Sequence, residues 1–191
     1  MRIIAGTRRG HRIAAPKGRD TRPTSDRVRE NAFNLIGPVD DADVLDLFAG
    51  SGAMGHEALS RGAASATFVE SDREACRTIN ANLDKLKLGA GVLCQDVLRA
   101  VTSERRTYDL VLCDPPYGYD HTRLTPYLAR LVGDDGLLVY ESSGREDPPE
   151  VPGLDLRTSR RYGSARLTLF DRSSPRSTQA RTTRSRTGTS T

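Results

Sequence analysis

The chain has 191 residues with 29 Lys/Arg against 25 Asp/Glu, and its net charge of +4 is unevenly spread: nine Arg/Lys and three acids in residues 1–30, four Arg and no acid in residues 173–191, and an acidic body between. That length suits one domain with a buried core; no apolar run reaches the length of a membrane span, and the first dozen residues lack a signal-peptide plan, so a cytoplasmic protein with no membrane partner is expected. Basic ends on an acidic body are an electrostatic footprint for a polyanion and favour a nucleic-acid partner.

Residues 1–23 read as a basic hairpin and connector. Arg2–Ala5 and Arg12–Ala14 are short strand candidates, and Gly6–His11 is a turn with Arg8 and Arg9 at its tip. Arg8, Arg9 and Arg22 of the connector are candidate nucleic-acid contacts. Thr24 or Ser25 suits the cap of a helix running to Ile36, where Gly37-Pro38 ends it. Val28, Ala32, Leu35 and Ile36 would line its buried face. A folded domain is expected over 24–172.

The next stretch carries the strongest local pattern. Val44 to Phe48 is an apolar strand interrupted by Asp46, and Gly50-Ser51-Gly52-Ala53-Met54-Gly55 reads G-x-G-x-x-G before a helical stretch, Met54–Arg61. Strand, glycine turn and helix together make a nucleotide-binding context. Glycine allows a tight turn and a close backbone approach to a ligand. Ala66–Glu70 is strand-like and ends in an acid where a ribose-binding carboxylate belongs. An adenosine-containing cofactor is therefore expected at residues 46–70. Asp46 would repel a pyrophosphate but accept from the ammonium of an amino acid. That points to S-adenosylmethionine.

A helix is expected from Arg73 to Leu88, then a strand Val92–Cys94 ending at Gln95-Asp96, a helix Val97–Ser103, a strand Tyr108–Cys113, a helix Leu124–Val132 and a strand Gly136–Glu141. Residues 144–153 read as a loop, and Asp155–Arg160 with Ala165–Phe170 as a closing hairpin. The alternation predicts an α/β fold with a doubly wound, mostly parallel sheet, one late strand being antiparallel. Residues 173–191 hold only Ser, Thr, Arg, Gly, Pro, Gln and Ala, a composition expected to be a disordered basic tail. Cys76, Cys94 and Cys113 form no C-x-x-C pair, so neither a disulfide framework nor a metal site is expected, and all three read as buried small hydrophobes. His56 reads as a partly exposed helix residue.

Asp114-Pro115-Pro116-Tyr117 leaves the strand Tyr108–Cys113 where an open α/β sheet holds its site. Two prolines stiffen the turn and remove two backbone donors. The Asp114 carboxylate and the Pro115 carbonyl then form an acceptor-rich rim, and Tyr117 offers a flat face. Such a rim suits an exocyclic base amine: two acceptors localise its lone pair, while Tyr117 stacks on a base drawn out of its helix. Asp114, Pro115 and Tyr117 are the candidate catalytic residues. Tyr119 and His121 lie nearby.

The chain resembles the RsmD family of bacterial 16S ribosomal RNA guanine-amine methyltransferases. The likeness rests on Arg22-Pro-Thr-Ser-Asp-Arg-Val-Arg-Glu30, Leu45-Asp-Leu-Phe-Ala-Gly-Ser-Gly52, Glu57-Ala-Leu-Ser-Arg-Gly62, Asp114 to Tyr117 and Arg161-Tyr-Gly163, in order over residues 1–170. It implies a seven-stranded methyltransferase sheet, S-adenosylmethionine, and a guanine of 16S rRNA or of an assembling small subunit, met by a monomer. By the same resemblance Asp46, Gly50 and Gly52 hold the methionine moiety, with Phe48, Ser51 and Asp114 beside them. Glu70 takes the ribose, Asp96 the adenine amine, and Thr24 lies near the methionine carboxylate. The tetrapeptide alone leaves open a DNA adenine or cytosine amino-methyltransferase and a glutamine methyltransferase. A non-catalytic rRNA-binding assembly protein is the reading from another class.

Overall fold

The computed structural model describes residues 1–16 and 26–172. Arg22, Thr24, the expected helix cap at Thr24 or Ser25, and the tail 173–191 lie outside the described residues. One seven-stranded sheet is built from β1 (Asp43–Leu47), β2 (Ser65–Glu70), β3 (Gly91–Cys94), β4 (Tyr108–Cys113), β5 (Val132–Ser143), β6 (Leu154–Tyr162) and β7 (Ala165–Arg172), in the order β3-β2-β1-β4-β5-β7-β6. The first five are parallel, and β7 runs antiparallel between β5 and β6. The winding reverses between β1 and β4, which opens a crevice at the carboxyl ends of those two strands.

Both faces of the central strands are buried, which is why they read as continuous apolar runs. Leu45, Leu47, Val111, Cys113, Leu138 and Tyr140 point to one side, under α4 (Val97–Ser103) and α5 (Thr125–Leu128). Val44, Phe68, Leu110, Leu112 and Val139 point to the other. There they meet α1 (Asp26–Ile36), α2 (Ala53–Ser60) and α3 (Arg73–Leu86) through Phe33, Ala58 and Ile79. The expected helix Leu124–Val132 is instead α5 between two short 3-10 turns, and β5 begins at Val132, four residues earlier than expected. Val132 pairs with Tyr108 ahead of a register shift, after which Leu137 faces Leu110.

The N-terminal segment folds back on itself through an isolated antiparallel bridge between Arg2 and Arg12. Glu57 of α2, fully buried, accepts from the backbone N–H groups of Ile4 (2.8 Å) and Ala5 (2.9 Å). It also pairs with the fully buried Arg29 (3.5 Å) and with Arg61 (2.9 Å). α1 accordingly buries Arg29, Ala32 and Phe33, a face rotated from the expected Val28/Ala32/Leu35/Ile36 stripe because the buried Glu57 needs its counter-charge. Gly6 lies so close to Ser60 that a Cβ would fall 1.7 Å from its carbonyl oxygen.

Two expectations are corrected. Cys76 and Cys94 are joined in a disulfide, with Cα atoms 5.9 Å apart, and Cys94 is exposed. The crossover from β2 through α3 brings the first turn of that helix beside the end of β3, a proximity that spacing in the chain hides. Cys113 is free and buried as expected. His56 is completely buried, not partly exposed: its Nδ1 lies against the Gly52 carbonyl and its ring packs on Phe68.

Candidate active site

A cavity of about 1000 Å³ opens at the β1/β4 crevice. Its floor is the glycine turn. Phe48, Gly50 and Gly52 all have positive φ (58°, 55° and 74°), and the turn leads directly into α2. The three motif glycines serve different ends. A Cβ on Gly50 would meet nothing nearer than 3.9 Å, so its bare face is turned to open space. A Cβ on Gly52 would sit 2.5 Å from the His56 ring, and one on Gly55 would sit 2.3 Å from Phe68 and 3.1 Å from Asp46. Gly52 and Gly55 therefore let α2 close on β1 and β2, while Gly50 lets a ligand approach the backbone.

Carboxylates line the walls. Asp46, at 3% exposure, accepts from the Gly55 N–H at 2.9 Å. Burial pushes its pKa up to about 8; the Gly55 hydrogen bond opposes that, and the charges of Asp114 and Glu70 add to it. Glu70, at the end of β2, accepts from Gly50 N–H (2.9 Å) with one oxygen and from Asp72 N–H (2.8 Å) with the other. It thus fixes the glycine turn while facing the cavity. Asp96 caps α4 through Arg99 N–H (3.1 Å) and also lines the cavity. Phe48 packs edge-on against Tyr119, with ring centroids 5.1 Å apart, and both rings reach the cavity wall.

Asp114 follows β4 directly, its N–H 3.4 Å from the Leu47 carbonyl of β1. Pro115 is buried, whereas Tyr117 is 55% exposed at the mouth, its hydroxyl 3.5 Å from the Ser164 carbonyl in the β6–β7 turn. Residues 161–165 and Arg27 and Asn31 of α1 also line the cavity. Among the described residues the cavity wall carries five carboxyl side chains, of Asp46, Glu70, Asp96, Asp114 and Glu141, against the guanidinium groups of Arg27 and Arg161. Such a wall suits a cationic ligand carrying an ammonium group and disfavours a phosphorylated one.

Most residues singled out in the sequence meet here: Asp46, Phe48, Gly50, Ser51, Glu70, Asp96, Asp114, Pro115 and Tyr117 all line the cavity. Gly52 shapes it from behind. Arg8 and Arg9 do not join them. Their turn packs on the carboxyl-terminal ends of α2 and α3, where Arg8 donates to the Leu86 carbonyl at 2.6 Å. Helices of a parallel α/β layer run against the strands, so this is the opposite end of the sheet from the cavity. Arg8 acts there as a helix C-cap; Arg9 is exposed. His121 meets the Tyr140 hydroxyl. Arg27, with Glu30, stands on the helix face opposite the expected apolar stripe, the face open to substrate or water, whereas Asn31, Arg161 and Glu141 were not singled out as site residues. Two of these had a signal: Arg161 falls in a segment that carries the family resemblance, and Glu141, like Asp114, ends an apolar strand run.

The family model described as "Conserved hypothetical protein 95" matches residues 1–171. The chain is 38% identical over 178 residues to "Ribosomal RNA small subunit methyltransferase D" of Escherichia coli K12, covering 90% of each. It is 38% identical over 181 residues to "Putative rRNA methyltransferase YlbH" of Bacillus subtilis 168, covering 89% of this chain and 98% of that one. Among solved structures, "Putative methyltransferase yhhF" from Escherichia coli superposes with a TM-score of 0.81 at 37% identity, over 90% of this chain and 97% of that one.

Proposed function

The chain belongs to the RsmD family of S-adenosylmethionine-dependent ribosomal RNA methyltransferases, and on that premise we propose that it methylates the exocyclic 2-amino group of a guanine in 16S rRNA. The observation that supports this target is the juxtaposition of Asp114 and Pro115 with Asp46 across the β1/β4 crevice. An amine acceptor and an ammonium acceptor then share one cavity.

The residues fit the cofactor. Asp46 has one carboxylate oxygen on Gly55 and the other for an ammonium; Glu70 and Asp96 suit ribose hydroxyls and the adenine amine; Gly50 offers bare backbone. Bound there, S-adenosylmethionine supplies an electrophilic methyl group. Everything else falls to the chain. Asp114 and the Pro115 carbonyl accept the two hydrogens of the target amine and turn its lone pair toward the methyl. As the new N–C bond forms, the methyl–sulfur bond breaks and the sulfur leaves as a neutral thioether; the nitrogen gains positive charge, which the Asp114 carboxylate stabilises, and the amine proton passes to that carboxylate and on to solvent. Tyr117 stacks on the extruded base, and Arg27 and Arg161 at the cavity wall are placed to meet adjoining phosphates. The protein works as a monomer in the cytoplasm, on 16S rRNA or an assembling subunit.

The test is transfer of labelled methyl to total RNA, small subunits and DNA in parallel, followed by nucleoside analysis. Methylguanosine from small-subunit RNA is the expected product; methyladenine or methylcytosine from DNA would overturn the reading. Asp114→Ala should slow single turnover about 100- to 1000-fold, the usual loss for one preorganised electrostatic partner, and leave cofactor affinity nearly unchanged. A near-normal rate would mean that the amine is held elsewhere.

A further inference from the structure

Glu141 is a second carboxyl group at the target end of the cavity. It sits on β5, the strand beside β4, where Cys113 pairs with Tyr140; Asp114 and Glu141 are therefore the next residues on two parallel neighbours. Neighbouring strands lie about 4.8 Å apart, so the two carboxyl groups stand side by side. Both line the cavity with Tyr117 and Arg161. Glu141 is also held in the ladder opposite Leu167 of β7, which fixes its backbone more firmly than the loop holds Asp114. Among the described residues its side chain has no hydrogen-bond or ion-pair partner.

Resting on the guanine reading above, we infer that Glu141 is the residue that selects guanine, its carboxylate accepting the ring N1–H while Asp114 and the Pro115 carbonyl hold the adjacent 2-amino group. The Watson–Crick edge of guanine presents an N–H donor next to the amine. Adenine and cytosine present a lone pair there. Two carboxylates one strand apart match adjacent donors, and the same pair sets a carboxylate against the lone pair of either other base. A site built to hydrogen-bond a donor rejects the analogue that lacks it, because its own polar group is left unpaired.

To accept from N1–H, Glu141 must be ionised when the base is bound. Burial, and then the charge of Asp114, raise its pKa well above the usual carboxylate range. Among the described residues no donor reverses that; N1–H and the amine are the donors the ionised form needs. A protonated Glu141 would instead donate to the ring nitrogen of adenine or cytosine, which makes the base preference itself the decisive readout.

The experiment uses full-length protein and small subunits from cells lacking the endogenous methyltransferase. Wild type first identifies the modified nucleotide; a second batch of subunits carries adenine there. Wild type, Glu141→Ala and Glu141→Gln are compared for single-turnover rate over a range of subunit concentration, and for S-adenosylmethionine affinity by calorimetry. Expected is a 10- to 100-fold loss of kcat/KM on guanine for Glu141→Ala, with cofactor affinity within twofold of wild type. Glu141→Gln, whose amide can turn either an acceptor or a donor to the base, should lose less on guanine and gain methylation of adenine. Unchanged kcat/KM on guanine in Glu141→Ala overturns the inference, as does a loss of cofactor affinity or wild-type methylation of the adenine subunits. If Glu141→Ala does not fold, Glu141→Gln decides by the same criteria. Should the wild-type product contain no methylguanosine, the underlying reading fails instead, and the nucleoside analysis separates the two.

Discussion

Replacing the three motif glycines with alanine one at a time separates backbone strain, packing and ligand approach. At Gly50 the added methyl meets no protein atom within 3.9 Å, so only the positive φ of 55° opposes it. A left-handed alanine costs about 1–2 kcal/mol, which for a domain of this size is roughly 2–8 °C in Tm. At Gly55 the φ is ordinary, but the methyl would overlap the fully buried Phe68 ring at 2.3 Å. Overpacking of this kind costs about 1–3 kcal/mol, and it also crowds the Asp46 oxygen that the Gly55 N–H holds. At Gly52 a φ of 74° and a 2.5 Å approach to His56 combine. The expected stability order is therefore wild type, then Gly50→Ala, with Gly52→Ala lowest. Cofactor affinity should depart from that order: Gly50→Ala, the mildest strain, should weaken S-adenosylmethionine binding at least tenfold, because its methyl occupies the ligand's side of the turn. Differential scanning calorimetry and titration calorimetry on the same samples read both. If Gly50→Ala binds the cofactor as tightly as wild type, the Gly50 backbone does not face the cofactor, and the division of roles among the glycines is wrong.

Glu57→Ala should destabilise the fold by about 3–5 kcal/mol in urea unfolding, since it strands the buried Arg29 charge and frees two N–H groups of the N-terminal segment; a loss below 1 kcal/mol would deny that Glu57 anchors that segment. Between pH 7 and 9 the cofactor-free protein should lose stability: Asp46, raised to about 8, and Glu141, also raised, hold protons when folded that unfolded carboxyls release near pH 4. His56 is lowered by burial and acts in the opposite direction, but its contribution is complete by about pH 7. A urea midpoint that rises over that interval would refute the assignment. Arg8→Ala should lower stability and leave RNA affinity alone, whereas Arg161→Ala should raise the KM for small subunits with little change in Tm; the reverse pattern would return the hairpin to the RNA interface.

What the chain discloses by itself follows from how far each interaction reaches along it. The glycine turn, its strand and Glu70 are local, and the sequence brings them together at the cavity. Asp114 also announced itself, because an acid followed by two prolines at the end of an apolar run is a local signal. Glu141 carries no motif; its place beside Asp114 exists only through the register of β4 with β5. The same holds for Cys76 and Cys94, which a crossover brings together. Arg29 and Glu57 both fall in segments that carry the family resemblance, yet neither had a visible role until α1 and α2 were seen to close over the N-terminal segment. Arg8 is a related case: charge at a turn tip suggests solvent and a partner, whereas the Leu86 carbonyl at the end of α3 receives its guanidinium.

The charge distribution then acquires a physical sense. Burying carboxyl groups around one cavity is costly, and Asp46 shows that cost in its raised pKa. Within the cavity, a cationic cofactor and the donor edge of a base are the ligands that relieve it. An RNA phosphate is repelled from the same wall at short range, because carboxylates separated by less than a Debye length of about 8 Å are little screened. The basic residues stand outside that wall or at its rim, as Arg9, Arg27 and Arg161 do. Nucleic acid is thus attracted to the surface and resisted at the cavity, and a single extruded base can enter where its backbone cannot. The exposed Tyr117 ring lies at the mouth of that acidic cavity, where on the proposed function its apolar face would meet the base. Selection among bases must then occur beyond that mouth, at Asp114 and Glu141, where no phosphate competes for the carboxylates.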